Sequence, residues 1–136
     1  MNDLKQFLDQ NKAIYKPVND EDIVQAEVEL SVTFSDEYKQ YLKHIGLFSY
    51  ESIETYGLGL PNDSYLNIVK STKEFRQESR FQDSFVPLCE IGDGHYYIYD
   101  NNESNIKVWV SPNGGVSKKI GSNLEEFLLN LIKNLV

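Results

Sequence analysis

The spacing of apolar residues changes character near the middle of the chain. Leu4, Phe7 and Leu8 stand at helical spacing and predict a short first helix that ends in the Asn11 to Lys16 stretch, before Pro17. Asn19 is placed to cap a second helix, with Asp20, Glu21 and Asp22 at its positive dipole end and Ile23, Ala26 and Leu30 on one face. Ser35 is placed to cap a third, followed by Asp36 and Glu37. Its stripe of Tyr38, Tyr41, Leu42 and Ile45 ends at Gly46, a residue suited to the left-handed turn that closes a helix.

From Ile53 the runs are short and rich in β-branched and aromatic residues. Ile53 to Leu58, Tyr65 to Val69, Phe85 to Glu90, His95 to Tyr99, Ile106 to Val110 and Val116 to Ile120 predict about six strands. Asp93-Gly94 and Asn113-Gly114 fall between such runs and suit hairpin turns, so the later strands should form an antiparallel meander. Ser71 to Glu74 resembles a capping box, which predicts one crossing helix through Phe75 to Arg80. A second box, Ser122 and Glu125, opens a last helix with Leu124, Phe127, Leu128, Leu131 and Leu135 on its apolar face. Helices before and after a run of strands give an α+β class. The expected architecture is a twisted, mostly antiparallel sheet of about six strands, flanked by N-terminal helices and a C-terminal helix. Those helices cover one face of the sheet and leave the other partly free. Without repeats or a linker, residues 1–136 are expected to form a single domain.

Charge narrows the partners. The formal net charge is −8, and the acids are unevenly placed: Phe81 to Ile106 holds Asp83, Glu90, Asp93, Asp100 and Glu103 with no Lys or Arg. His44 to Val69 holds Glu51, Glu54 and Asp63, again with neither. Such surfaces disfavour direct contact with nucleic acid or an anionic membrane and favour a basic partner, although acidity also serves solubility alone. A lone cysteine, Cys89, and the absence of a long apolar run fit a cytoplasmic protein without a disulfide or structural zinc.

No motif commits the chain to catalysis. Cys89, His95 and Asp100 invite a triad, but Cys89 follows Val86-Pro87-Leu88 and reads as a small apolar strand residue. His44 suits a helix C-terminus, where an imidazole meets the last carbonyls. Asp93, Asp100 and Glu103 offer oxygen ligands to a metal, yet their Gly and Asn neighbours are turn chemistry. Gly57-Leu58-Gly59-Leu60-Pro61 lacks the lysine and following helix of a phosphate loop and reads as a bend. Strand alternation puts His95, Tyr97 and Tyr99 on one face and Tyr96 and Ile98 on the other. No cofactor, metal site or enzymatic activity is expected.

Taken in order, these segments resemble the SUKH superfamily, which includes the yeast Smi/Knr cell-wall regulator and many bacterial immunity proteins. Residues 23–42, IVQAEVELSVTFSDEYKQYL, resemble its opening helix with a Glu, turn and second helix, with Phe34-Ser35 in place of the usual Leu-Pro. Residues 53–60 (IETYGLGL) resemble the strand entering a Tyr-Gly bend, and residues 69–76 (VKSTKEFR) the Val-x-x-Thr segment. Residues 85–100 (FVPLCEIGDGHYYIYD) are similar to the strand, Gly-Asp-Gly turn and strand ending in Asp. Residues 123–128 (NLEEFL) are similar to the closing helix, with Leu124 replacing its first aromatic.

The resemblance implies an immunity protein that docks stoichiometrically onto a cognate secreted toxin domain, expected to be basic and often a nuclease in such systems. The alternative it allows is a regulatory or scaffold module of the Smi/Knr type. A small hydrolase built on Cys89 and His95 ranks last. Chosen for charge or aromatic character, the expected partner contacts are Glu51, Glu54, Asp63, Asp93, Tyr97, Asp100 and Glu103.

Overall fold

The structure, a computed structural model, describes residues 1–134; Leu135 of the last apolar stripe lies outside the described residues. The helices are α1 (Asn2–Gln10), α2 (Asp20–Leu30), α3 (Asp36–His44), α4 (Ile68–Phe75) and α5 (Leu124–Lys133). The strands are β1 (Ile14–Tyr15), β2 (Phe48–Tyr50), β3 (Ile53–Glu54), β4 (Phe85–Gly92), β5 (His95–Asp100), β6 (Asn105–Val110) and β7 (Gly115–Gly121). The class is α+β as expected, but the strands divide into two antiparallel sheets, ordered β1-β2-β3 and β4-β5-β6-β7. Strands β1 and β2 go unread in the sequence because two or three residues are too few to show alternation.

The helix starts follow local chemistry. Asn19 accepts from the Asp22 amide and Ser35 from the Tyr38 amide, as their positions predict. Two expected boxes do not form. Asn67, not Ser71, caps the crossing helix, accepting from the Val69 and Lys70 amides. That helix therefore starts inside the expected strand Tyr65 to Val69 and stops at Phe75. The cap overrides the β preference of Ile68 and Val69. Asn123 caps α5 in place of Ser122, while Glu125 turns to the first helix, accepting from the Leu4 amide at 3.1 Å and facing the N-terminal ammonium at 3.2 Å. His44 bonds the Gln40 side chain at 2.9 Å rather than the last carbonyls.

Half-buried glutamates join the elements. Glu27 on α2 accepts from the Phe34 amide at 2.8 Å, fixing the corner into α3. This gives a physical reason for the glutamate in that helix–turn–helix segment. Glu37 on α3 accepts from the Tyr99 hydroxyl at 2.7 Å and the Leu124 amide at 3.0 Å, tying β5 and α5 to the same helix. The main core lies between the helices and one face of the larger sheet, with Leu4, Leu30, Tyr38, Leu42, Tyr99 and Leu128 among its members.

The other face of the larger sheet is less open than expected. Phe75, Phe81, Phe85, Ile98 and Trp109 form a second apolar cluster there, covered by the end of α4 and the chain that follows it. The two sheets meet where Thr55 bridges Cys89 and the Tyr56 amide donates to the Leu88 carbonyl at 2.9 Å.

Tyr38 supplies a test of this packing. Its ring stacks on Tyr41 and Tyr99, yet its fully buried hydroxyl has no hydrogen-bond partner among the described residues. Tyr38→Phe is therefore expected to stabilise the protein by about 1 kcal/mol, because an orphaned buried hydroxyl carries an uncompensated desolvation cost. A urea midpoint that falls by a comparable amount would show that the hydroxyl is partnered after all.

Candidate functional site

The expected contact residues separate into four places. Glu51 lies in the β2–β3 turn and Glu54 ends β3; Asp93 sits in the β4–β5 hairpin, and all three are exposed. Asp63 is exposed in the loop that leads to Tyr65. Tyr97 is half-buried on the opposite face of the sheet, edge-on to Phe127 of α5 at 4.9 Å between ring centres. Asp100 and Glu103 lie at the far end of β5, roughly 17 Å of extended chain from His95.

That far end is internally neutralised. Asp100 is 2% exposed and pairs with Lys107 at 2.7 Å, while accepting from the Ser84 hydroxyl and the Asn102 amide. Its carboxylate is committed to the fold and offers nothing to a partner. Glu103 is exposed but also faces Lys107, at 3.4 Å, and accepts from the Asn105 amide group.

A pH test follows from this cluster. Burial alone would raise the Asp100 carboxyl, but bonds from Lys107, Ser84 and the Asn102 amide outweigh it and hold the group below its ordinary value of 3.8. Bonds from Asn105 and Lys107 lower Glu103 as well. A depressed carboxyl contributes stability above its unfolded pKa and loses it as pH falls through the folded value. Stability from this cluster should therefore hold down to about pH 5 and decline below it. In Asp100→Asn the urea midpoint should decline less steeply between about pH 5 and about pH 3; an unchanged slope would remove Asp100 from the account.

The triad is not assembled. Cys89 is buried opposite Tyr97 in the β4–β5 ladder, and burial pushes its thiol up to about 12. His95 is exposed at one end of β5 and Asp100 buried at the other. The Gly57 bend instead serves close packing: a Cβ there would lie 2.5 Å from the Gly46 carbonyl oxygen. Among the described residues no group of three His, Cys, Asp or Glu is arranged to hold a metal ion.

One surface does gather chemistry. Along the seam between β3, β4 and α4, two adjoining hollows share Tyr56 and Tyr65 as walls. The first is completed by Ser52, Glu54, Leu66, Glu90, Ile91 and Gly92. The second adds Lys70, Glu74, Phe75, Glu78 and Tyr96. Tyr65 donates to both oxygens of Glu54, at 2.8 and 3.0 Å, and Lys70 pairs with Glu74 at 2.9 Å. Burial, then the neighbouring Tyr96, Glu90, Cys89 and Glu74, hold the Tyr56 hydroxyl well above the ordinary phenol range.

Of the expected contacts only Glu54 lines this groove, with Glu51 and Asp93 each one residue from a lining position. The expected contacts do not include Tyr56, Tyr65, Glu74, Glu90, Ile91 or Tyr96, of which Glu90 is read in sequence only as part of an acidic run and Tyr96 only as a strand-face aromatic. The available signal was Glu90-Ile91-Gly92, where a glycine interrupts the strand's alternation: the ladder slips between Glu90 and Gly92, a bulge that turns Ile91 outward.

The family model described as SUKH_5, SMI1-KNR4 cell-wall, matches residues 1–133. In fold the chain is similar to a protein from Pseudomonas syringae pv. tomato known from its crystal structure, with a TM-score of 0.70, 15% sequence identity, and 90% of this chain and 91% of that chain covered. No curated protein matches the chain in sequence.

Proposed function

The chain belongs to the SMI1-KNR4 cell-wall family of SUKH proteins, and from that premise we propose that it is a non-catalytic binding protein that neutralises a cognate toxin domain. The observation that carries this reading is the seam groove, where glutamates and tyrosines line two connected hollows. Tyrosine supplies contact area at low entropic cost, and carboxylates steer a basic surface toward it and speed encounter. Inhibition is then stoichiometric: the bound protein covers the toxin's substrate cleft or holds it inactive. Glu51, Glu54, Asp63 and Asp93 extend the negative surface around the groove, with Glu103 and Tyr97 at more distant positions. The cytoplasm is the proposed compartment, and no helix among the described residues is long and apolar enough to cross a membrane.

Co-expression with the C-terminal domain of a neighbouring secreted-toxin gene tests the proposal. Survival of the host and co-purification of a stoichiometric complex are the expected results. Failure against well-expressed toxic neighbours would shift the assignment to a regulatory module of the Smi/Knr type, a reading favoured by the cell-wall description of the matching family.

A further inference from the structure

Tyr56 is 9% exposed and lines both hollows of the seam groove, and its hydroxyl has no hydrogen-bond partner among the described residues. The side chain is nine-tenths buried, and its solvent-accessible hydroxyl is free of internal bonds, which leaves it open to pair with a ligand atom in the groove. The surroundings limit what that ligand is. Tyr56, Tyr65 and Tyr96 offer ring faces, while Glu54, Glu74 and Glu90 offer carboxylates. Glu90 forms no ion pair among the described residues, whereas Glu78, also on the lining, is committed to Trp109, Ser111 and Asn113. Lys70, the lining base, is already tied to Glu74. At the rim, Tyr65 is 65% exposed and the bulged Ile91 47%, giving apolar contact beside the charges.

An anion or an uncharged apolar group would leave these acceptors unmatched. A guanidinium or ammonium satisfies ring faces and carboxylates together, and its N–H groups donate to the Tyr56 oxygen. We infer that the seam groove is a receptor for a basic side chain, arginine or lysine, carried on an extended segment of the protein partner. The partner's being a protein rests on the function proposed above; the receptor chemistry rests on the groove itself. Two hollows in series suit an extended segment, with the basic side chain against Tyr56 and flanking residues against Tyr65, Ile91 and Tyr96.

The test is an amide chemical-shift titration with an acetylated Gly-Arg-Gly amide, with the uncharged citrulline peptide as control. Shifts should concentrate at Tyr56, Tyr65, Glu90, Ile91 and Tyr96 and should be absent with citrulline. Tyr56→Phe, which keeps the ring and breaks no internal bond, and Glu90→Gln should each weaken binding about tenfold without lowering Tm. Shifts elsewhere, equal response to citrulline, or affinity unchanged in both variants would overturn the inference. Toxin rescue by a protein whose groove ignores the arginine peptide would overturn the receptor and leave the immunity reading standing. Peptide binding at the groove without rescue of any toxic neighbour would do the reverse.

Discussion

Gly46→Ala is expected to destabilise the protein by at least about 3 kcal/mol, the largest effect of any single methyl group in the molecule's turns. Gly46 has a φ of +83°, a region that costs an alanine strain, and an added Cβ would lie 1.8 Å from the Lys16 carbonyl oxygen and 2.6 Å from its carbon. The clashing atoms are backbone and cannot rotate away. Relief requires moving the chain at Lys16 and Pro17, where the Lys16 amide donates to the Leu47 carbonyl at 3.0 Å and holds the smaller sheet together. Gly121→Ala is the control: no atom lies within 4 Å of its added Cβ, so its urea midpoint should stay near that of the parent. Equal effects at the two glycines would refute the close-approach explanation.

Glu78→Ala should cost about 3 kcal/mol, lowering Tm by on the order of 10 °C, although Glu78 belongs to no regular element. Its Oε1 accepts from the Trp109 indole at 2.9 Å and from the Asn113 amide at 2.9 Å, and its Oε2 accepts from the Ser111 hydroxyl at 2.6 Å. Trp109 is 0% exposed at the centre of the second apolar cluster, edge-on to Phe81 at 5.0 Å. Removing the carboxylate leaves a buried N–H without an acceptor, which costs more than an average bond because water cannot replace it. Glu78→Gln, which retains one oxygen acceptor, should recover about half the loss. Thermal unfolding of the two variants checks the ordering. A Glu78→Ala protein as stable as the parent would mean that these three bonds contribute little.

These predictions show how an acidic chain uses its charge. Glu27, Glu37, Glu78 and Glu125 bind backbone amides or buried donors of distant elements, and Asp100 is held by Lys107. Counting acids along the sequence treats them alike with Glu90 and Glu54, which face the seam groove. Position in space divides them into structural acceptors and free surface charge.

The local signals were legible wherever the chemistry is local. Asn19 and Ser35 cap the helices their positions announce, and Asp93-Gly94 makes the β4–β5 turn with both residues at positive φ, 53° and 77°. The meander from Phe85 to Gly121 and the opening α2–α3 pair follow from periodicity, and the ordered segments pointed to the family. Expectations failed where a residue chose among partners. Ser71 yielded its capping role to Asn67, four positions earlier, and Ser122 to Asn123, one position later, because a side-chain amide oxygen was better placed over the free N–H groups. Sequence alone thus determined the α+β class, the larger sheet's order and the starts of α2 and α3, since these rest on contacts between residues a few positions apart. Tertiary structure decided the split into two sheets, the burial of Asp100 and the meeting of Tyr56, Tyr65, Glu90 and Tyr96. Those depend on how segments dozens of residues apart pack, and packing is not written in the spacing of any one segment.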